Sequence, residues 1–341
     1  MRNARVDALI AEVGLPRALG KCLVAGIIFT YRCSIACRHC LFHCGGDQPD
    51  VAMTPRQCAD ALAMLHETPR VVHIAGGEAM LYWDALSDAI RLAHGEGNAP
   101  HFIETNCSFA SNDAVVRERF GFLAAHGVTG IYASADPFHQ EFVPADRFLR
   151  VRRLAREIFG PANFIGPDGS DADIEALAAV ARDEARLRSY LHGREPMMVG
   201  RAQKMLARHL EDCATHGEPP PSSVALRSAL DSACLPQFKA DTLWEFHIDP
   251  YGNIQTNCGI LLGRVAEVRP RELLARGPEK ANRFVEAVCA GGAMALAELA
   301  RRERGFVLPE RVSQKCELCY LARRFLRTFH PDVFGPAEVY A

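Results

Sequence analysis

Apolar residues in this chain gather in short continuous runs separated by longer amphipathic stretches. Residues 23–30 (Leu-Val-Ala-Gly-Ile-Ile-Phe-Thr) are almost unbroken apolar, the pattern of a parallel strand covered on both faces. Similar runs occupy 70–75, 101–105 and 128–134, with a weaker one at 162–165. Between them, helical periodicity covers 55–65, 82–94, 112–126 and 144–158; Thr54 is placed to cap the first of these and Pro55 to open it. This repeated strand–helix rhythm with short connections predicts a parallel α/β architecture.

The pattern changes further along. Residues 171–189 read as helix, and three prolines within 215–223 interrupt any helix there and mark a boundary. Residues 243–248 alternate apolar and polar, 249–253 (Asp-Pro-Tyr-Gly-Asn) form a turn, and 254–258 return, which predicts a β-hairpin ending at Cys258. A helix over 279–304, interrupted at Gly291-Gly292, and a basic helical stretch over 322–329 complete the chain. The organisation predicted is an N-terminal extension (1–20), an α/β domain (21–215) and a smaller hairpin-plus-helix module (216–341).

Charge adds an exclusion. Lys and Arg total 39 against 41 Asp and Glu, a formal charge of -2, so no global field recruits nucleic acid or an anionic membrane. The first twenty residues mix charged side chains with short apolar runs and make neither a signal peptide nor a membrane span, which points to a cytoplasmic protein. The 13 cysteines change the picture more. Their odd number fits complete disulfide pairing poorly, and Cys33, Cys37, Cys40 and Cys44 crowd one segment, as metal ligands do. Cys22, Cys58, Cys213 and Cys289 read as buried thiols.

Cys33-x-x-x-Cys37-x-x-Cys40 directly follows the first strand, at the carboxyl edge where α/β sheets and barrels assemble their sites. Thiolates suit zinc or an iron–sulfur cluster; for zinc, Cys44 or His39 would supply the fourth ligand. The spacing and context resemble the signature of the radical S-adenosylmethionine (SAM) superfamily, over roughly the first two-thirds of the chain. That resemblance implies a four-iron, four-sulfur cluster on Cys33, Cys37 and Cys40, with SAM on the fourth iron, and His39 packing near adenine.

Later segments are similar to the same family. Gly76-Gly77-Glu78 looks like its GGE segment, which helps position the SAM amino group; glycine permits close backbone approach and Glu78 offers a charge-matched acceptor. Asn106 and Ser134 stand where relatives contact the cofactor, with Asp136 beside them, although Cys107 stands where glycine is common. Gly200-Arg201-Ala202 resembles a segment of relatives that carry a C-terminal cluster domain. The fold implied is a partial (β/α)6 barrel.

In the C-terminal module, Cys234, Cys258, Cys316 and Cys319 make a second candidate ligand set. Their order around a glycine-turn hairpin resembles the Twitch domain, the shortened relative of the SPASM domain. Five residues separate Gly252 from Cys258 where the family pattern has four, and no cysteine follows Cys319, so the resemblance implies one auxiliary four-iron cluster; structural zinc is the competing occupant.

The resemblance implies reductive cleavage of SAM to a 5′-deoxyadenosyl radical and hydrogen abstraction from a substrate C–H bond, with the protein fixing the target. His139 and Glu141, after the fourth strand, are the candidates for proton transfer or substrate binding, against a reading as loop hydrogen-bonders. Relatives act on peptides or on small alcohols and sugars. Oxidative modification or cross-linking of a peptide is the first expectation, with a separate recognition protein, and dehydrogenation of a small alcohol or sugar the alternative. A reducing partner such as flavodoxin or ferredoxin is implied. A zinc-bearing binding module is the alternative of another class.

Overall fold

The computed structural model describes residues 1–191, 199–203, 233–309, 312 and 314–340. The proline-rich boundary at 215–223, Pro196 to Met198 and Cys213 lie outside the described residues. The chain folds into two compact units, each discontinuous in sequence: Met1–Cys37, Cys44–Leu187 and Glu245–Gly252 form the first, and Arg38–His43, Arg188–Trp244 and Asn253–Ala341 the second.

The first unit holds six parallel strands. They are β1 (Val24–Ile28), β2 (Val71–Ala75), β3 (Phe102–Thr105), β4 (Gly130–Ala133), β5 (Phe164–Ile165) and β6 (Glu245–Ile248), in the order β5-β4-β3-β2-β1-β6. Every residue of β1 and β2 is buried, as their near-continuous apolar runs require. The sequence reading makes 243–248 the opening strand of the C-terminal hairpin; in the structure β6 belongs to the first unit and pairs in parallel with β1, Gly26 opposite His247. Period-2 alternation serves either role, because it specifies a half-polar strand and not its neighbour.

Helices α3 (Pro55–His66), α4 (Trp83–Gly95), α5 (Asp113–Ala125) and α6 (Ala145–Phe159) fill the predicted stretches. Thr54 caps α3 in a capping box with Gln57, and Pro55 stands at the first position. Residues 171–189 form two helices, α7 (Asp171–Val180) and α8 (Glu184–Leu191).

The N-terminal extension is structural. Asn3 caps α1 (Ala4–Val13), which Gly14 (φ 79°) joins to α2 (Leu15–Leu19). Val6, Ile10, Leu15 and Ala18 pack on Val71 and Phe102, with Tyr132 beside them. Because alternate residues share a face, this side of the sheet also carries Gly26, His73, Glu104, Glu245 and His247. The two helices thus form an apolar floor, and each side chain fully buried in it contributes roughly 1.5–3 kcal/mol.

In the second unit β7 (Asn253–Thr256) pairs antiparallel with β8 (Leu261–Arg264). Among the described residues three helices follow: α9 (Pro270–Arg276), α10 (Arg283–Arg304) and α11 (Lys315–Leu326). Gly291 and Gly292 leave helical backbone inside α10, Gly292 at φ 61°, so the expected interruption is present. The last helix begins earlier than the predicted 322, so Cys316 and Cys319 sit in its opening turns. Among the described residues, no helix is long and apolar enough to cross a membrane.

Candidate functional site

In the first unit the loop after β1 is pinned before its cysteines are reached. The Cys33 amide donates to the Gly45 carbonyl (3.0 Å) and the Gly45 amide to Tyr31 (3.3 Å), which closes the loop on itself. Glycine is required where β2 ends. A Cβ on Gly77 would lie 2.0 Å from the Arg32 carbonyl oxygen and 3.0 Å from the Cys33 nitrogen, and Gly76 takes φ 139° against Thr30. The Gly-Gly pair therefore lets the second strand's exit press against the backbone that presents Cys33.

Glu78 joins these ends to the third strand. Its buried carboxylate accepts from the Asn106 amide (2.8 Å), the Thr105 hydroxyl (3.0 Å) and the Met80 amide (3.0 Å). Burial raises its pKa, and the hydrogen bonds from Asn106, Met80 and Thr105 oppose that rise. Held in this way, Asn106 directs its side-chain amide at the Cys33 sulfur (3.3 Å) and the Ser34 hydroxyl (3.2 Å). Cys107 follows at φ 66°, a left-handed conformation that explains a preference for glycine at this point. An amide N–H aimed at sulfur suits a thiolate or a cluster ligand far better than a neutral thiol. The residues present here therefore fit an iron–sulfur group. Beside them a cavity of about 320 Å³ is lined by Ser34, Glu78, Leu81, Ser108, Phe142 and Arg147.

Ser134 donates its amide to the Thr105 carbonyl (3.0 Å), at the same carboxyl edge. Asp136 accepts from the backbone of Phe138 (2.9 Å) and His139 (3.2 Å) and lies 2.6 Å from His139 Nδ1. Burial works against an imidazolium, but Asp136, with Cys37 also near, raises His139 well above the ordinary histidine value. Glu141 stands half-buried two residues further along. Of the two proton-transfer candidates, His139 is the one bonded to Asp136.

His39 and Cys40 belong to the second unit. There the Arg201 amide donates to the Cys40 carbonyl (3.0 Å), and Gly200 (φ 58°) approaches so closely that a Cβ would lie 2.4 Å from the carbonyl oxygens of Cys40 and Leu41. The Gly200-Arg201 segment thus braces the third cysteine of the motif.

The second unit also brings Cys234, Cys258, Cys316 and Cys319 into one electrostatic neighbourhood. Burial pushes Cys319 up to about 12; Arg323 opposes the rise, and Cys258, Cys234 and Cys316 add to it. Cys316 likewise rises through burial and then through Cys258 and Cys234. Cys289, read from sequence as a buried thiol, is a fifth thiol of this group, pushed to about 12 by burial and by Cys234. Thiols that act on one another in this way are the soft donors a metal or cluster takes, and Arg323 supplies a second indication. Its guanidinium is fully buried, yet Nε and Nη2 have no hydrogen-bond partner.

One array escaped the sequence reading. On the face floored by α1 and α2, His73 is 1% exposed, with Nδ1 3.1 Å from Glu104 and Nε2 2.8 Å from Glu245. His247 lies 3.7 Å from the same Glu245 oxygen. Gly26 makes this possible, since a Cβ there would sit 2.3 Å from His73 Nε2 and 2.7 Å from His247 Cδ2. Burial disfavours a charged His73, but Glu104 and Glu245 together raise its pKa to about 10, which favours an imidazolium between the two carboxylates. Glu104 is the open end, its side chain 35% exposed.

No curated protein sequence matches the chain. Among solved structures it is similar to BtrN, crystallised in complex with AdoMet and 2-DOIA, at 14% identity and a TM-score of 0.43, covering 80% of this chain and 88% of that one. It is also similar to native anSMEcpe with bound AdoMet, at 10% identity and a TM-score of 0.34, covering 90% and 96% respectively. Residues 27–160 match the Radical SAM superfamily model, a stretch that holds Cys33, Glu78, Asn106 and Asp136.

Proposed function

We propose that this chain is a radical SAM oxidoreductase with two four-iron clusters, one on Cys33, Cys37 and Cys40 and an auxiliary one on Cys234, Cys258, Cys316 and Cys319. The six parallel strands are read as its partial (β/α)6 barrel and β7–α11 as its Twitch-like module. The observation that carries the reading is the stitch from Glu78 through Asn106 to the Cys33 sulfur, because it joins three separate family motifs by hydrogen bonds. Bound there, the cluster and SAM supply a 5′-deoxyadenosyl radical able to take hydrogen from an unactivated C–H bond.

The protein's own part is to hold and select. Gly76 and Gly77 let the loop that carries Cys33 seat against β2, and Asn106 holds the Cys33 sulfur in place. Glu104, held by His73, accepts a hydrogen bond from a hydroxyl or amine on the target carbon and orients it. His139 and Asp136 hold a proton at the mouth of the same sheet. Our first reading is oxidative modification or cross-linking of a peptide. Phe142 and Leu81, 46% and 47% exposed at the cavity rim, support a partner of that size. The carboxylate at Glu104 supports the second reading, dehydrogenation of a small alcohol or sugar. Both place the enzyme in a reducing cytoplasm with a flavodoxin- or ferredoxin-like donor.

The test is iron and acid-labile sulfide per chain after anaerobic reconstitution, in wild type and in the Cys33→Ala/Cys37→Ala/Cys40→Ala variant. About eight irons in the first and about four in the second are expected, with dithionite-driven 5′-deoxyadenosine formation only in the first. Zinc without sulfide would overturn the proposal in favour of a structural binding module.

A further inference from the structure

Arg323 stands on α11 one helical turn after Cys319 and is 0% exposed. Removing a guanidinium from water costs several kcal/mol unless opposite charge meets it. Among the described residues no carboxylate lies within ion-pair distance. Nη1 is used, donating to the Cys258 carbonyl and to the Tyr340 hydroxyl (2.9 Å), which itself donates to the Gly259 carbonyl (2.9 Å). Tyr320 and Tyr340 lie 5.7 and 5.6 Å from the guanidinium carbon. Gly259, at φ 81°, keeps the backbone close enough for this arrangement; a Cβ there would be 3.4 Å from Nη1 and 2.8 Å from Val339. The cation is therefore held firmly, with Nε and Nη2 buried and unpartnered.

What acts on it electrostatically is Tyr340, Cys319 and Cys258. Burial keeps the Tyr340 phenol neutral by raising its pKa. Among the described residues the sulfurs remain as the source of countercharge, and neutral thiols supply none. Thiolates bound to a metal centre do, and a guanidinium offers its remaining N–H groups in a fixed fork that the point charge of lysine cannot match.

We infer that Arg323 is the built-in counter-ion of the auxiliary cluster, donating from Nε and Nη2 to its sulfurs, the Cys319 and Cys258 ligands first, and thereby making that cluster easier to reduce. Positive charge and N–H···S bonds both favour the reduced, more negative state of an iron–sulfur centre. The consequence is functional. A cluster that accepts an electron readily suits the oxidative step in which a substrate radical gives one up, so Arg323 is a positioning residue for electron acceptance. The inference rests on the auxiliary-cluster reading above.

The experiment uses the full-length Cys33→Ala/Cys37→Ala/Cys40→Ala chain, in which the auxiliary cluster alone is reconstituted, with Arg323→Gln, Arg323→Lys and Tyr340→Phe added singly. Iron content, midpoint potential and Fe–S stretching frequencies in H2O and D2O are measured. Expected are about four irons throughout, a lower potential in Arg323→Gln, and a D2O shift in the Fe–S bands that the parent and Tyr340→Phe show and Arg323→Gln lacks. If Arg323→Gln fails to hold the cluster, Arg323→Lys decides. A reduced D2O shift there supports the inference; parental bands and potential overturn it. Parental values in Arg323→Gln with the cluster intact also overturn it and leave the auxiliary cluster standing, whereas an iron-free parent removes the auxiliary cluster itself.

Discussion

His73 is the position where a single side chain carries the most calculable consequence. In His73→Gln, one amide replaces an imidazolium that faces Glu104 at 3.1 Å and Glu245 at 2.8 Å. Breaking a buried charge pair by removing one partner costs about 3–5 kcal/mol. Glu104 is one-third exposed and regains water, so most of the loss falls on Glu245, and about 2–4 kcal/mol is expected. At roughly 2–4 °C per kcal/mol for domains of this size, Tm should fall by about 5–15 °C. Anaerobic urea unfolding at pH 7, followed by far- and near-ultraviolet circular dichroism, measures the loss and tests two-state behaviour. Combined with Glu245→Gln, the double variant should lose about 1–3 kcal/mol less than the sum of the singles. The pH dependence has a definite sign. Below the ordinary imidazole value of about 6.5, His73 is protonated folded or unfolded, and the pairing contributes in full. Between there and the folded value of about 10, only the folded chain holds the proton, so stability falls as pH rises, and above it the contribution is gone. Additivity of the two substitutions within about 0.5 kcal/mol, or a gap between wild type and His73→Gln that stays constant from pH 6 to pH 10, would refute the imidazolium reading.

Two other substitutions follow from the glycines and one measurement from a thiol. Gly77→Ala should remove about four irons per chain by displacing the Cys33 loop, since its Cβ would lie 2.0 Å from the Arg32 oxygen; full iron content would contradict that. Gly26→Ala should cost about 1–3 kcal/mol by overpacking His73 and His247, and a His73→Ala background should relieve much of it in urea unfolding. Cys58, wholly buried on α3 and raised well above the ordinary thiol value by burial, should resist iodoacetamide in the folded chain at pH 8 and react after unfolding, as read by peptide mass spectrometry.

The parts of the fold legible in the sequence were those set by local pattern. Apolar runs marked β1 to β4, Thr54 and Pro55 marked the start of α3, and Gly291-Gly292 marked the break in α10. The N-terminal helices were missed because Arg, Asp and Glu are interleaved there, although Val6 and Ile10 already showed the i, i+4 spacing of a buried stripe. The pairing of β6 with β1 was beyond local reading, since β1 lies more than two hundred residues away and the alternation in 243–248 is the same beside any neighbour.

The chemistry divides along the same line. Cys33, Cys37, Cys40, Gly77, Glu78 and Asn106 were legible as candidates because each lies just after a strand within a short recognisable segment. The His73 array was not, because β2, β3 and β6 each contribute to it and only strand register brings them together. Gly26 carried the one local clue, a glycine without a turn inside an apolar strand, which calls for something large on its neighbours. Arg323 was hidden differently. A basic helix reads as a solvated face, and in the stretch from Ala322 to Phe329 that reading suits Arg324, which is exposed, but not its buried neighbour Arg323. Its spacing of four from Cys319 puts it on the face of the helix that presents the thiols. A buried arginine one turn beyond a Cys-x-x-Cys pair is thus better read toward those sulfurs than toward water, since burial takes its charge away from solvent.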